Sequence, residues 1–228
     1  MSRAWLVVFA KAPRPGLVKT RLSPPLTLDQ SAALYEQMLL DVLAVSARWA
    51  AEFDLEAVLA FHPPDAVGEL VRLAPPDFRV QAQKGPGLAE RMANAFAEGA
   101  AAGARWVLLR GSDSPGLGLA QFAEAVRTLE AGADLVLTPD DGGGYAMIGM
   151  HGACPALFEV PMSTDQVLPS TLAAAERSGL KTVVTSPTFD LDTAADLQSL
   201  ARLSDEESSD LCPRTVEAIE VYRSNRVL

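Results

Sequence analysis

Cysteine is scarce in this chain: Cys154 and Cys212 are the two among 228 residues, and they lie far apart without metal-ligand spacing. Thiols so sparse support neither a disulfide framework nor a zinc site, and reduced, buried cysteines in a cytosolic protein are the expectation. Histidine is as rare. His62 and His151 stand far apart, so no Ser-His-Asp or Cys-His arrangement can be drawn and a hydrolase reading is weakened. No apolar run approaches the ~18 residues of a membrane helix. The first one, Trp5 to Ala10, has a strand's length and runs into a basic loop, which is neither a signal nor a transit peptide. Acid is missing from one stretch: residues 1–28 carry Arg3, Lys11, Arg14, Lys19 and Arg21, and the first carboxylate is Asp29.

The rest of the chain is the reverse. Its 200 residues hold 14 positive and 29 negative charges, and the net charge of −10 argues against a nucleic-acid or anionic-membrane binder. A small cationic pocket on an acidic protein suits a compact anion such as phosphate. At 49% hydrophobic there is ample material for a core, and the length is that of one large domain, residues 1–228, with 204–228 as a peripheral C-terminal segment.

Strand and helix patterns alternate along the chain. Ala4–Ala10 reads as a buried strand, closed by Ala12-Pro13-Arg14-Pro15-Gly16. Thr27 and Gln30 form a capping box, and Tyr35, Met38, Leu39, Val42 and Leu43 then share one helix face. Further strands are expected at 55–61, 78–83, 106–109, 134–138, 145–150 and 181–185, with helices at 66–73, 87–103, 119–131, from Ser163 or Thr164 to Ser178, from Thr193, and at 213–224. Residues 204–210 read as a mobile acidic loop. This rhythm predicts a three-layer α/β fold with a mostly parallel sheet, broken between 138 and 165 by an antiparallel insertion.

In such sheets ligands sit outside the carboxyl ends of the strands, so the loops after the strands matter most. The first loop, residues 10–22, lacks the adjacent Gly-Lys of a Walker A motif and is not G-x-G-x-x-G. It offers Lys19 and Arg21, pointing the same way if extended, as a point charge and a fork for phosphate. Asp113, just past a strand, is placed to hold a divalent ion shared with phosphates, or else to cap a turn. Asp190 and Asp192 share a face of an extended segment and could complete that site; Asp192 or Thr193 could equally cap a helix. Gly142, Gly143 and Gly144 would let backbone amides approach a ligand, or simply form a hairpin turn.

Taken together and in order, Phe9-Ala10-Lys11-Ala12-Pro13…Gly16…Lys19-Thr20-Arg21-Leu22, Gly111-Ser112-Asp113-Ser114-Pro115, Asp141-Gly142-Gly143-Gly144-Tyr145…Ile148-Gly149 and Asp190-Leu191-Asp192-Thr193…Asp196-Leu197 resemble one family over residues 4–200. It is a bacterial glycosyltransferase-like family of poorly defined function, associated with radical-SAM genes and arsenosugar biosynthesis. It is similar to the guanylyltransferases of 2-phospholactate and of the molybdenum cofactor. The resemblance implies a nucleotide-diphospho-sugar transferase (GT-A-like) fold and a cytoplasmic enzyme. A nucleotide would lie at Ala10, Lys11, Arg14, Gly16, Lys19, Arg21 and Ser112, with Lys19, Arg21 and Asp113 catalytic. Mg²⁺ or Mn²⁺ would sit on Asp113 with Asp190 or Asp192, and an acceptor against Gly142, Gly143, Gly144 and Tyr145. Three departures stand out. An extra glycine separates Asp141 from Tyr145, Met162 replaces an expected Trp, and Arg110 replaces an aliphatic residue.

Two chemistries fit: glycosyl transfer from a nucleotide-sugar to a small-molecule acceptor, and nucleotidyl transfer from a nucleoside triphosphate to a phosphorylated acceptor. The basic loop leans toward a triphosphate, the family toward glycosyl transfer, which is the expectation adopted. A non-catalytic nucleotide-binding module is the third reading. No nucleic-acid partner and no membrane span are expected, and the oligomeric state, a homodimer included, is left open.

Overall fold

The computed structural model describes residues 3–162 and 164–227. Seven strands form one sheet: β1 (Ala4–Lys11), β2 (Leu55–His62), β3 (Arg79–Ala82), β4 (Val107–Gly111), β5 (Leu135–Pro139), β6 (Tyr145–Met150) and β7 (Thr182–Val184), in the order β3-β2-β1-β4-β6-β5-β7. β6 alone runs antiparallel to its neighbours β4 and β5, which is the expected break in the rhythm. The helices are α1 (Leu28–Glu52), α2 (Val67–Leu73), α3 (Leu88–Ala101), α4 (Leu119–Glu130), α5 (Val167–Arg177), α6 (Asp205–Leu211) and α7 (Pro213–Ser224).

The continuous apolar run of β1 is explained by cover on both faces. Leu6, Val8 and Ala10 enter one core with Tyr35, Leu39 and Val42 of α1 and Phe122 and Val126 of α4. Trp5, Val7 and Phe9 enter the other with Met92 and Phe96 of α3 and Ala174 and Ala175 of α5. Each such side chain withdrawn from water contributes about 1.5–3 kcal/mol before entropy is counted. The chain leaves β1 for β2 on one side and returns to β4 on the other. The crevice between β1 and β4 is thus the switch point at which α/β sheets bind ligands.

A third apolar cluster lies outside the sheet. Leu22 and Leu26 from the loop after β1 pack with Leu34 and Met38 of α1, Phe189, Leu191 and Leu197, and Ile219 of α7. This cluster binds the basic loop to the 189–197 segment across the sheet edge. It therefore sets the distance between the two walls of the crevice.

The Thr27–Gln30 capping box is formed, with Thr27 N–H donating to Gln30 Oε1 at 2.8 Å. The segment expected to be a mobile acidic loop is instead α6. Ser204 and Glu207 make a second capping box, and Asp205, Glu206 and Glu207 in the first turn suit the helix dipole. Thr193 caps no helix. Its N–H and hydroxyl both donate to Asp196, at 2.7 and 2.9 Å, and a 3₁₀ segment begins only at Asp196. At α5, Ser163 lies outside the described residues and Thr164 does not cap the helix: the N-cap is Gln166, without a side-chain cap, and Thr164 Oγ1 accepts the Gln166 N–H at 3.3 Å in the turn before it. The C-terminal helix packs on α1, where the buried Asp41 accepts from the Thr215 N–H and hydroxyl, both at 2.8 Å.

Candidate active site

The carboxyl ends of β1, β4 and β5 open into a cleft of about 800 Å³. Of the expected nucleotide residues, Ala10, Lys11, Lys19, Arg21 and Ser112 line it, together with Asp113, Asp190 and Asp192. The four motifs separated along the sequence thus meet in one place.

Lys19 is its hub. The expectation of an extended Lys19–Arg21 pair is corrected: Lys19 is left-handed at φ 47°, and Thr20–Leu22 is a 3₁₀ turn. A non-glycine residue in that region is held by its surroundings. The Lys19 side chain is 3% exposed and its Nζ donates to Asp192 Oδ1 at 2.8 Å and pairs with Asp113. Burial disfavours the ammonium, but the two carboxylates outweigh it and leave its pKa raised. Despite partial desolvation, Asp113 is held below the usual carboxylate range by Lys19. Arg21 remains 72% exposed, 3.9 Å from Asp192.

Asp190 is in a different position. Its carboxyl is pushed up to about 7 by loss of water and by the charges of Asp113 and Asp140, against the opposing hydrogen bond from Ser114. Asp113 and Asp192 share the single ammonium of Lys19, and Asp190 beside them is held toward its neutral form, so the spot is short of positive charge. Among the described residues no group of three or more acids, histidines or cysteines could hold a metal ion unaided. Two carboxylates completed by substrate oxygens remain the ordinary arrangement for Mg²⁺, and hard oxygen donors fit it.

Arg14 and Gly16 do not reach the cleft. Arg14 turns to α2, where its Nη2 donates to Glu69 at 2.6 Å and Nη1 to Asp65 at 2.7 Å, and Gly16 is an exposed turn at φ 78°. The glycine turn is also corrected. Gly142 and Gly144 N–H groups donate to Asp140 Oδ1 at 2.7 and 2.9 Å, so these amides are spent within the turn and are not aimed at a ligand. Gly143, at φ 84°, takes the Leu168 N–H of α5 on its carbonyl at 2.9 Å, and a Cβ there would strike the Asp165 backbone. Gly142, Gly144 and Tyr145 do line the cleft. Asp141 pairs with Arg202.

Tyr35, Gln83 and Arg91 line the cleft although nothing in the sequence assigned them a role there, and Arg110 and His62 stand behind it. Tyr35 reaches up from α1, its hydroxyl accepting Lys11 N–H at 2.9 Å and 2.7 Å from Ser112 Oγ, and burial raises its pKa to about 12. Arg91 fixes its Nε on the Gly87 carbonyl at 3.0 Å, and Gln83 donates to the Ala60 carbonyl at 2.9 Å. Arg110 is 1% exposed and braces the Asp113 loop from behind, donating to the Ser114 carbonyl at 3.0 Å. Burial lowers its pKa to about 9. His62 is lowered by burial and then by Arg91 and Lys11, a sign of cations converging at this end.

The cleft draws its cations and its carboxylates from different parts of the chain, and the two sets meet at Lys19. Every lysine and arginine lining the cleft (Lys11, Lys19, Arg21 and Arg91) comes from residues 11–91; every carboxylate comes from residues 113–196.

This architecture is the nucleotide-diphospho-sugar transferase fold. Over 98% of the chain and 96% of its counterpart, it matches a Desulfovibrio desulfuricans protein provisionally named a nucleotide-diphospho-sugar transferase, at 28% identity and TM-score 0.86. A cytidylyltransferase from Leptospira borgpetersenii shares the fold at TM-score 0.55 and 12% identity, over 99% and 96% of the two chains. So does 4-diphosphocytidyl-2C-methyl-D-erythritol synthase from Anaerococcus prevotii, at 0.56 and 11%, over 88% and 99%. Residues 45–164 match the family described as "Uncharacterized protein conserved in bacteria (DUF2064)", and the chain belongs to that family. No curated protein matches the sequence. Among the described residues no helix is long and apolar enough to cross a membrane.

Proposed function

We propose that the chain is a transferase that takes a nucleotide-sugar and passes its glycosyl group to a small-molecule acceptor. The observation that carries this reading is the partition of charge across one cleft. The diphosphate belongs on the cationic half, at Lys11, Lys19, Arg21 and Arg91, where ammonium and guanidinium groups neutralise charge on the leaving group. Asp113 and Asp190 would hold Mg²⁺ or Mn²⁺, which when bound supplies further charge for the leaving diphosphate. Asp192, tied to Lys19, positions that lysine and is assigned no contact with the ion.

The acceptor belongs on the other half, between the glycine turn and Met162, Thr164, Asp165 and Val167. No lysine or arginine lines that half, and the nearby Arg202 is spent on Asp141. A phosphate acceptor would meet Asp140, Asp141 and Asp165 with no lysine or arginine free to hold it, whereas a hydroxyl would find hydrogen-bond acceptors. In the reaction the acceptor oxygen bonds to the anomeric carbon as the bond to the diphosphate breaks, the nucleoside diphosphate leaves with the electron pair, and the hydroxyl's proton passes to a carboxylate lining that half or to the leaving diphosphate. Side chains on both walls contribute by holding the two substrates in line.

Nucleotidyl transfer is the second reading, supported by the four cations of one wall, a number suited to a triphosphate. Incubation with nucleotide-sugars and with nucleoside triphosphates, followed by identification of the product, separates the two. A nucleoside diphosphate released in an acceptor-dependent manner is expected, with Mg²⁺ or Mn²⁺ required and EDTA inhibiting. Pyrophosphate release establishes the second reading instead. Neither product with any donor, and no nucleotide binding, overturns both.

A further inference from the structure

The hydroxyl of Tyr35 lies between the end of β1 and the loop after β4. The residue is 2% exposed, its ring belongs to the core under β1, and its oxygen meets one group from each wall. These are the Lys11 N–H, at 2.9 Å, and the Ser112 hydroxyl, at 2.7 Å. An amide N–H can only donate, so the phenol oxygen accepts from Lys11. Between the phenol and Ser112 either hydroxyl can donate. With Lys11 already donating to the phenol oxygen, the arrangement that fills the chain in one sense has the phenol give its single proton to Ser112 Oγ, which frees the Ser112 proton to point elsewhere. Ser112 is 3% exposed, lines the cleft, and has no other side-chain hydrogen bond among the described residues.

We propose that Tyr35 is a positioning residue that makes the Ser112 hydroxyl a directed hydrogen-bond donor into the cleft, where it takes an oxygen of the nucleotide's phosphate chain. The choice of ligand atom rests on the function proposed above. It follows from the neighbours of Ser112, which are Asp113 along the chain and Lys11 across the phenol. A hydroxyl that has already accepted a hydrogen bond is a better donor, because the chain polarises in one direction. The same relay rejects a ligand group that can only donate, such as an ammonium, at this point. Tyr35 also ties the end of β1 to the loop after β4, so the phosphate-facing amide region and the carboxylate loop cannot separate without breaking it.

The test is a double-mutant cycle with Tyr35→Phe, Ser112→Ala and the pair, plus Ser112→Thr, which keeps a hydroxyl. The readouts are calorimetric affinity for nucleoside diphosphates with Mg²⁺ and the melting temperature. Each single loss should weaken binding about tenfold, as a hydrogen bond to a charged oxygen would. The double variant should be no weaker than the weaker single one, and Ser112→Thr should stay close to the parent. Full affinity in Ser112→Ala, or losses that multiply in the double variant, overturns the relay. A purely structural tyrosine would lower the melting temperature while leaving affinity unchanged. If the parent protein binds no nucleotide, the proposed function fails first, and with it the phosphate as Ser112's partner. The Tyr35 strut is then judged by hydrogen exchange of the Lys11 amide in the unliganded protein. Faster exchange in Tyr35→Phe upholds the strut, and unchanged exchange refutes it.

Discussion

The two walls of the cleft are held in place by different means. The acidic wall is stitched by backbone hydrogen bonds: Leu191 N–H to the Asp113 carbonyl and Thr188 N–H to that of Pro139, both at 2.9 Å, and the Gly142 and Gly144 amides to Asp140. The cationic wall has a looser attachment. From Val18 to Leu22 its long-range ties are the burial of Val18 and Leu22 and the ion pairs of Lys19 and Arg21. Hydrogen-bonded backbone fixes orientation, whereas apolar burial fixes little beyond distance. The acidic wall is thus a fixed template, and residues 18–22 of the cationic wall are a flap whose directional fastenings among the described residues are the ion pairs of Lys19 and Arg21 with the template's own carboxylates. A ligand phosphate competing for Lys19 would loosen that lysine's fastening as it binds.

The largest effect should come from the template. Asp113→Ala removes a proposed metal ligand and half of the Lys19 clasp at once, and should weaken metal-dependent nucleotide binding by about 100-fold or more, measured by calorimetry with and without EDTA. Full-strength, EDTA-insensitive binding in this variant would remove the metal from the picture. Next is Lys19→Ala, which leaves Asp113 and Asp192 facing each other. Denaturant unfolding should show a loss of about 2 kcal/mol, below the figure for a fully buried pair because both carboxylates stay nearly half exposed. No loss of stability would mean the flap needs no fastening. Arg21→Ala acts on a side chain 72% exposed. It should weaken nucleotide binding about tenfold and leave the melting temperature alone, since a surface pair contributes little to folding.

Arg14→Ala is expected to do least. It leaves nucleotide affinity unchanged, because Arg14 points to α2. Hydrogen bonds from Arg14 hold Asp65 and Glu69 below their ordinary values. Carboxylates depressed on folding stabilise above their unfolded pKa and lose that contribution as pH falls through the folded one. A melting-temperature drop within about 2 °C at neutral pH should therefore vanish in acid. Weakened nucleotide binding in Arg14→Ala would move it back into the site.

The parts of the site that were legible in the sequence are those governed by local pattern. Strand–helix alternation placed the loops at the carboxyl ends of the strands, and the order of the motifs assembled Lys11, Lys19, Arg21, Asp113, Asp190 and Asp192 around one cleft. What escaped depends on partners distant in sequence. Arg14 has the same composition signal as Lys19, and Glu69 on α2, 55 residues on, is what draws it away. The left-handed turn at Lys19 has no signal, because the residue is not glycine. Tyr35 was legible as an apolar position on a helix face, but its hydroxyl contact to Ser112 spans 77 residues. One miss was avoidable. Ser204 and Glu207 have the spacing already used at Thr27 and Gln30, and the acidity of α6 hid a helix start.

The single reversed strand has a consequence for how this protein can change. A parallel strand reaches the ligand edge once and leaves by a crossover, so altering its loop disturbs a helix as well. β6 instead returns directly from β5, and the pairing irregularity at Thr138/Pro139 lies between the turn and the regular β4–β6 ladder. A change of length at 140–144 would leave the pairing of Leu109 with Ile148 in place and would fall instead on the contacts of Gly143 with α5 and on the Asp140 turn, so the ligand edge can be reshaped here while the sheet keeps its register.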